Sequence, residues 1–194
     1  MRAGVLVIIG AVLPLVLGAS LGSITTAEGK GTWAYPMQPT AFLLLSLGLA
    51  VSHLLVLIGY LDVARRTTGA GSKFAAVGGL GTAIVAACEV WSGLVAKTDR
   101  DASVIGALNT SYAVSSIVIL VGTLGAGIAL YATKSRFALP LLVSGGFLLV
   151  AIPVRFLASD GFGIAALTIW SLLYIWLGVR LGVRRTVDRA AELV

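Results

Sequence analysis

The 194-residue chain is 58% hydrophobic and 11% charged, with a formal net charge of +6 and a mean hydropathy of +1.03. A soluble domain carries about 25% charged residues, so this composition excludes a water-soluble fold of this size and predicts an integral membrane protein. The basic residues are spread over the short polar joints of the chain, and this distribution disfavours nucleic-acid binding.

Six apolar stretches are predicted to be transmembrane helices. They lie near residues 3–22, 40–61, 74–96, 104–132, 137–158 and 162–183. A hydrocarbon core of roughly 30 Å needs about 20 helical residues, and each stretch meets that length. The first stretch is longer than the apolar region of a signal peptide, so we interpret it as a membrane helix. The sequence therefore predicts an all-α polytopic membrane protein, with residues 1–183 forming a single six-helix transmembrane domain and residues 184–194 forming a short basic cytoplasmic tail.

The basic residues predict an orientation in the membrane. If the N-terminus is cytoplasmic, the inner side carries Arg2, Arg65, Arg66, Lys73, Lys134, Arg136, Arg180, Arg184, Arg185 and Arg189, and the outer side carries Lys30, Lys97, Arg100 and Arg155. Cytoplasmic loops carry the excess of Lys and Arg, so both termini are predicted to be cytoplasmic. The composition resembles that of small six-helix proteins of bacterial plasma membranes. This resemblance implies a multi-pass protein of the cell membrane and transfers no site residues.

Small residues recur at one spacing in the second, fourth and sixth predicted helices. The pairs are Ser52 and Gly59, Ser115 and Gly122, and Ser171 and Gly178. Residues seven apart lie on one face of a helix, where small side chains allow close contact between helices. We interpret the pattern as tight packing within the chain. A duplicated helical hairpin and a contact between two copies of the chain are the alternatives.

Three ionisable side chains are predicted inside the membrane, namely His53, Glu89 and Arg155. With Lys97 as the end of the third helix, Glu89 lies eight residues deep, which is about 12 Å. Arg155 lies about 7 Å below the turn at Asp160. A poorly solvated carboxylate needs a nearby cation to remain charged, so the two side chains are expected to pair. The pair is interpreted as a lock between two helices, with a site for a proton or a cationic ligand and an interface with another subunit as the alternatives.

Other polar and aromatic side chains are predicted at the level of Glu89. They are Asn109, Tyr112, Trp91 and Trp170. Polar atoms in hydrocarbon need partners, so these side chains are expected to face one another and to line a cavity in the outer half of the bundle. The tryptophan rings would present their faces to a bound cation.

His53 is the only histidine of the chain and is predicted near the middle of the membrane. Its expected role is a hydrogen bond between helices, with a proton relay or a ligand contact as alternatives. One histidine cannot hold a haem iron from both sides, and Cys88 is the only cysteine. The sequence therefore predicts no metal site and no cofactor.

Known catalytic motifs are missing from the sequence. There is no phosphate-binding loop and no dinucleotide fingerprint, and Asp62 lies too far along its helix from His53 for a catalytic triad. No catalytic residue is predicted.

We expect a non-enzymatic membrane protein that binds or transports a small amphipathic or cationic solute through an outward-facing intramembrane cavity. The alternatives are an accessory or regulatory subunit of a partner membrane protein and, third, a membrane-embedded enzyme. The expected partners are the lipid bilayer and either a second copy or another membrane protein, with no nucleic acid.

Overall fold

The computed structural model describes residues 2–21, 23–27, 29–155 and 161–182, and for residues 154, 155 and 161–165 it describes the backbone alone. Apart from two isolated β-bridges, the regular structure of these residues is helical. The six helices are α1 (Ala3–Leu21), α2 (Pro39–Arg66), α3 (Gly69–Leu94), α4 (Ser103–Ala132), α5 (Ala138–Arg155) and α6 (Gly161–Gly182). The all-α prediction is confirmed, while the predicted tail 184–194 lies outside the described residues.

Four of these helices, α1 to α4, are long and apolar enough to cross a membrane. The apolar segments described in α5 and α6 are shorter and comprise Ala138–Pro153 and Ala166–Gly182. The chain therefore has the features of a multi-pass membrane protein.

The structure extends α2 beyond the predicted apolar segment. Pro39 opens the helix, where its missing N–H costs no hydrogen bond. Arg65 and Arg66 occupy the last turn, where positive charge is favourable next to the helix dipole. Arg66 also forms an ion pair of 2.7 Å with Asp62, one turn earlier. The hydropathy pattern underestimates the helix because backbone hydrogen bonding continues into this polar turn.

The helices form a ring in chain order. Each helix packs against its neighbours in sequence, α6 closes the ring on α1, and α2 also contacts α6. In the described residues the backbone of α4 is not a neighbour of α2 or α6. Contacts between these helices are therefore made by long side chains that reach the centre of the ring.

Glycines set the closest approaches between helices. A Cβ atom on Gly122 of α4 would overlap the backbone nitrogen of Gly78 on α3, and one on Gly4 of α1 would overlap the carbonyl oxygen of Gly178 on α6. Gly59 of α2 faces the Val7 side chain. All three glycines of the Ser–Gly repeat thus lie at contacts within the chain, in agreement with the packing interpretation of that repeat.

One end of the bundle, the capped end, carries a small folded cap made of residues 23–27, 29–38 and 95–102. Trp33 N–H donates to the Thr98 carbonyl at 2.8 Å and Ala34 N–H donates to Ala96 at 3.0 Å. The Arg100 guanidinium donates to the carbonyls of Thr32 and Tyr35. The two loops are therefore held together by backbone groups and one arginine.

The opposite end, the basic end, carries the connections 67–68 and 133–137. The half of the bundle next to it contains a continuous cluster of buried apolar side chains from all six helices. Its largest members include Tyr60, Tyr174, Leu141 and Leu177, each at most 2% exposed. This end of the bundle is closed by packed side chains.

Candidate functional site

Glu89 is a half-buried acidic side chain on α3 near the capped end. Because α3 ends at Leu94, Glu89 lies five residues, or about 8 Å, from the helix end. The depth of the carboxylate is therefore smaller than the value of about 12 Å that was expected with Lys97 as the end of the helix. The carboxylate lies within reach of the cap.

Three other side chains surround this position, and we call the group the Glu89 cluster (Glu89, Ser92, Tyr112 and Trp33). Tyr112 on α4 is a hydrogen-bonding neighbour of both Ser92 and Glu89. The Trp33 indole N–H donates to the Ser92 hydroxyl at 2.8 Å. A carboxylate, two hydroxyls and an indole ring are thus brought together from α3, α4 and the cap.

The local sequence explains why α3 presents Glu89 and Ser92 together. Residues three apart differ by about 60° around a helix, so both point toward α4, where Tyr112 meets them. Trp33 reaches them because its backbone N–H bonds to the Thr98 carbonyl and the next N–H, of Ala34, bonds to the Ala96 carbonyl.

The predicted pairing of Glu89 with Arg155 falls partly outside the described residues. Arg155 is the last residue of α5, and only its backbone is described. In the described residues α3 packs against α2 and α4, while α5 packs against α4 and α6. The ion pair remains a prediction.

One of the predicted site residues points away from the Glu89 cluster. Trp91 lies two residues after Glu89, which places it about 200° around the helix and therefore on the opposite side. Asn109 is exposed on α4, three residues before Tyr112 and about 60° from it around the helix. The indole ring of the Glu89 cluster is that of Trp33, which was not predicted there because it comes from a loop distant in sequence.

His53 and Trp170 form a second group nearer the middle of the bundle. Their ring centroids are 5.7 Å apart. The Nδ1 atom of His53 lies 2.8 Å from the Leu49 carbonyl oxygen. A carbonyl only accepts hydrogen bonds, so Nδ1 carries the proton and donates, which leaves Nε2 as the second polar atom of the ring. The structure thus brings together two of the predicted site residues, His53 and Trp170, through a contact between their rings.

The aromatic series continues from Trp170 toward the basic end. The ring centroids of Trp170 and Tyr174 lie 4.7 Å apart, and those of Tyr174 and Tyr60 lie 6.2 Å apart in an edge-on arrangement. The Tyr60 hydroxyl contacts the Tyr174 hydroxyl at 2.6 Å and the Thr123 hydroxyl at 2.5 Å. We call Tyr60, Tyr174 and Thr123 the tyrosine cluster. It joins α2, α4 and α6 at the centre of the ring.

The tyrosine cluster was not predicted from the sequence. Tyr60 and Tyr174 are tyrosines deep in apolar segments, and a buried tyrosine hydroxyl usually finds a hydrogen-bond partner. That signal marks each residue as one that needs a partner. It does not reveal which partner, because Tyr60 and Tyr174 are 114 residues apart.

The residues present do not assemble a metal centre in the part of the chain that the structure describes. No group of three or more His, Cys, Asp or Glu side chains is positioned to hold an ion there. Cys88 is buried in α3 as a free thiol.

Comparisons with known proteins give no relative, since no family model, curated protein or solved structure matches the chain.

Proposed function

We propose that the chain crosses a plasma membrane six times, as in a bacterial cell, with the capped end outside and both termini in the cytoplasm. The lengths of α1 to α4 support the crossing. The charge of the loops supports the orientation, because Arg65, Arg66, Lys73, Lys134 and Arg136 lie at the basic end and Lys30, Lys97 and Arg100 lie at the capped end. A Thr98→Cys variant labelled by a membrane-impermeant thiol reagent from outside tests this orientation, and labelling only from the cytoplasm would contradict it.

We further propose that the protein binds, and moves, a small cationic or amphipathic solute at the Glu89 cluster. The observation that carries this proposal is the grouping of the Glu89 carboxylate with two hydroxyls and an indole ring. Glu89 itself lies in α3, a helix long and apolar enough to cross a membrane. Ionisable groups are expensive in a membrane and mark solute or ion pathways. The carboxylate supplies the charge that attracts a cation, and the ring face of Trp33 adds a cation–π contact.

The cap supports this proposal by ordering one wall of the site. Trp33 lies between Thr32 and Tyr35, whose backbone carbonyls accept hydrogen bonds from Arg100, and Thr32 also forms a strand-like contact with Asp99. A rigid wall places the indole ring without a further loss of conformational entropy when the solute binds.

Binding of the lipophilic cation tetraphenylphosphonium to the protein in lipid nanodiscs tests the proposal. Tetraphenylborate, which has a similar size and shape and the opposite charge, serves as the matched probe. We expect saturable binding of the cation alone, and a loss of at least tenfold in affinity for Glu89→Gln. Asp101→Asn is the control, since Asp101 is an exposed acid of the cap. Equal binding of both ions, or binding unchanged in Glu89→Gln, would contradict the proposal.

A second candidate function, an accessory subunit or a homodimer, is favoured by the exposed face of α4. Near the capped end this face presents small and polar residues, namely Ser103, Gly106, Asn109 and Thr110. A Cβ atom on Gly106 would meet no atom within 4 Å. Small residues allow a second helix to approach closely, and Asn side chains form hydrogen bonds across helices. Native mass measurement in mild detergent distinguishes a lone monomer from a stoichiometric complex, and Gly106→Leu should break such a complex.

A further inference from the structure

The tyrosine cluster has a chemistry that differs from the core around it. Tyr60, Tyr174 and Thr123 are at most 2% exposed, and their three hydroxyls meet among apolar side chains. Phenylalanine and valine would fill the same volume without any polar atom to satisfy. Each hydrogen bond between these hydroxyls stabilises the packed arrangement by only a modest net amount, because a separated hydroxyl bonds to water instead.

The position of the cluster in the ring is equally specific. Its three members come from α2, α4 and α6, and in the described residues α4 is not packed against either of the other two helices. The hydrogen bond between Tyr60 and Thr123 therefore spans the centre of the ring and links α2 to α4, while the bond between Tyr60 and Tyr174 links α2 to α6. Loss of the bond to Thr123 removes a link to α4 that does not depend on the contacts between neighbouring helices of the ring.

A series of rings connects this point with the capped half of the bundle. His53 lies seven residues, or about 10 Å, from Tyr60 along α2, and Trp170 lies one turn from Tyr174 along α6. Both lie on the side of the tyrosine cluster that faces the capped end. The rings of Trp170 and Tyr174 contact each other, with their centroids 4.7 Å apart.

We propose that the tyrosine cluster is the closure at the basic end of the pathway that starts at the Glu89 cluster, and that it opens by exchange of its hydroxyl contacts for water. This inference rests on the proposed function for the direction of the pathway. The closure itself is a property of the bundle and does not require that any particular solute binds.

Thiol accessibility in the absence of solute tests the closure. The reporter is Val56→Cys in a Cys88→Ala background, because Val56 is 1% exposed and lies one turn from Tyr60 toward the capped end on the same face of α2. A cationic methanethiosulfonate reagent is applied to inside-out vesicles, so that it must pass the tyrosine cluster to reach the cysteine. We expect slow labelling in this background and labelling about tenfold faster when Tyr60→Phe and Tyr174→Phe are combined, as follows from the loss of two net hydrogen bonds.

Tyr131→Phe is the matched control, since Tyr131 is 66% exposed at the basic end of α4 and should leave the labelling rate unchanged. If the double variant does not fold, Thr123→Val removes one hydroxyl with little change in shape and should still accelerate labelling. Fast labelling with the cluster intact, or an unchanged rate in folded variants that lack the hydroxyls, would overturn the proposal. Because no solute is present, failure of solute binding at Glu89 leaves the result of this experiment unaffected.

Discussion

The Ser52 hydroxyl on α2 donates a hydrogen bond of 2.5 Å to the backbone carbonyl of Gly10 on α1. In a regular helix that carbonyl accepts from the N–H four residues later, but the residue there is Pro14, which has no N–H. Ser52 and Pro14 are both fully buried. The serine therefore satisfies the one acceptor in α1 that the proline leaves without an intrahelical donor.

This relationship predicts that Ser52→Ala destabilises the protein by about 1–3 kcal/mol, because it leaves a buried carbonyl without a donor. Restoring the N–H with Pro14→Ala should largely remove that cost, so the double variant should be more stable than the sum of the single changes predicts. Ser46→Ala, at a buried serine of the same helix, is the control and should change stability little. Denaturation in detergent measures all four variants, and strict additivity would contradict the proposed role of Ser52.

The close contact of α3 with α4 predicts a strong effect at Gly122. A Cβ at this position overlaps the Gly78 backbone, which has no flexible end that moves aside. Gly122→Ala should therefore destabilise the bundle by about 1–3 kcal/mol, as overpacking does elsewhere. Gly106→Ala on the same helix meets open space, and there the higher helix propensity of alanine should leave stability equal or raise it by up to about 1 kcal/mol. Thermal unfolding of the two variants gives the comparison, and similar effects at both positions would be inconsistent with the packing.

Cation binding at the Glu89 cluster should depend on pH. Protonation of the Glu89 carboxyl removes the negative charge that attracts the cation, so affinity for tetraphenylphosphonium should fall as the pH is lowered. Glu89→Gln should bind weakly at every pH, because the amide carries no charge. Tyr112→Phe keeps the carboxylate and removes a hydrogen-bonding neighbour. In this variant the affinity should still depend on pH, with a smaller change in affinity. A pH dependence that persists in Glu89→Gln would assign the titration to another group.

The cap should loosen when Arg100 is replaced. Its guanidinium donates to the carbonyls of Thr32 and Tyr35. Arg100→Gln should therefore speed hydrogen exchange at the amides of Trp33 and Ala34, which bond to the second loop. Lys97→Gln removes one exposed positive charge from the same loop and serves as the control. Mass spectrometry of the exchanged cap peptides reads the difference, and equal exchange in the two variants would rule out this role of Arg100.

Much of the fold was predictable from local sequence. Stretches of about 20 apolar residues predict helices because a backbone in lipid must satisfy its own hydrogen bonds. The Ser–Gly spacing also indicated correctly which faces of α2, α4 and α6 make close contacts, since Gly59, Gly122 and Gly178 all lie at helix contacts. These properties depend on residues within a few turns of one another.

The candidate site was predictable only in part. Glu89 and Tyr112 were identified because polar groups in hydrocarbon are costly, and the structure brings them together. Asn109 was also identified, and it lies at an exposed position of α4. The helices of a membrane protein carry apolar residues on the lipid-facing side and on the core-facing side alike, so the apolar pattern does not reveal which way a polar residue points.

The sequence by itself determined that this protein is built of apolar helices, where small residues permit close packing, and which side chains need a polar partner, because these follow from composition and helix periodicity. Only the tertiary structure decided the partners. Ser52 bonds to the Gly10 carbonyl that Pro14 leaves without a donor. Trp33 bonds to Ser92 across 59 residues, and Tyr60 bonds to Tyr174 across 114 residues. Lipid solvates every apolar helix face alike, so the partner of each polar group is set by which helices pack together and at what height, and that depends on the whole ring at once.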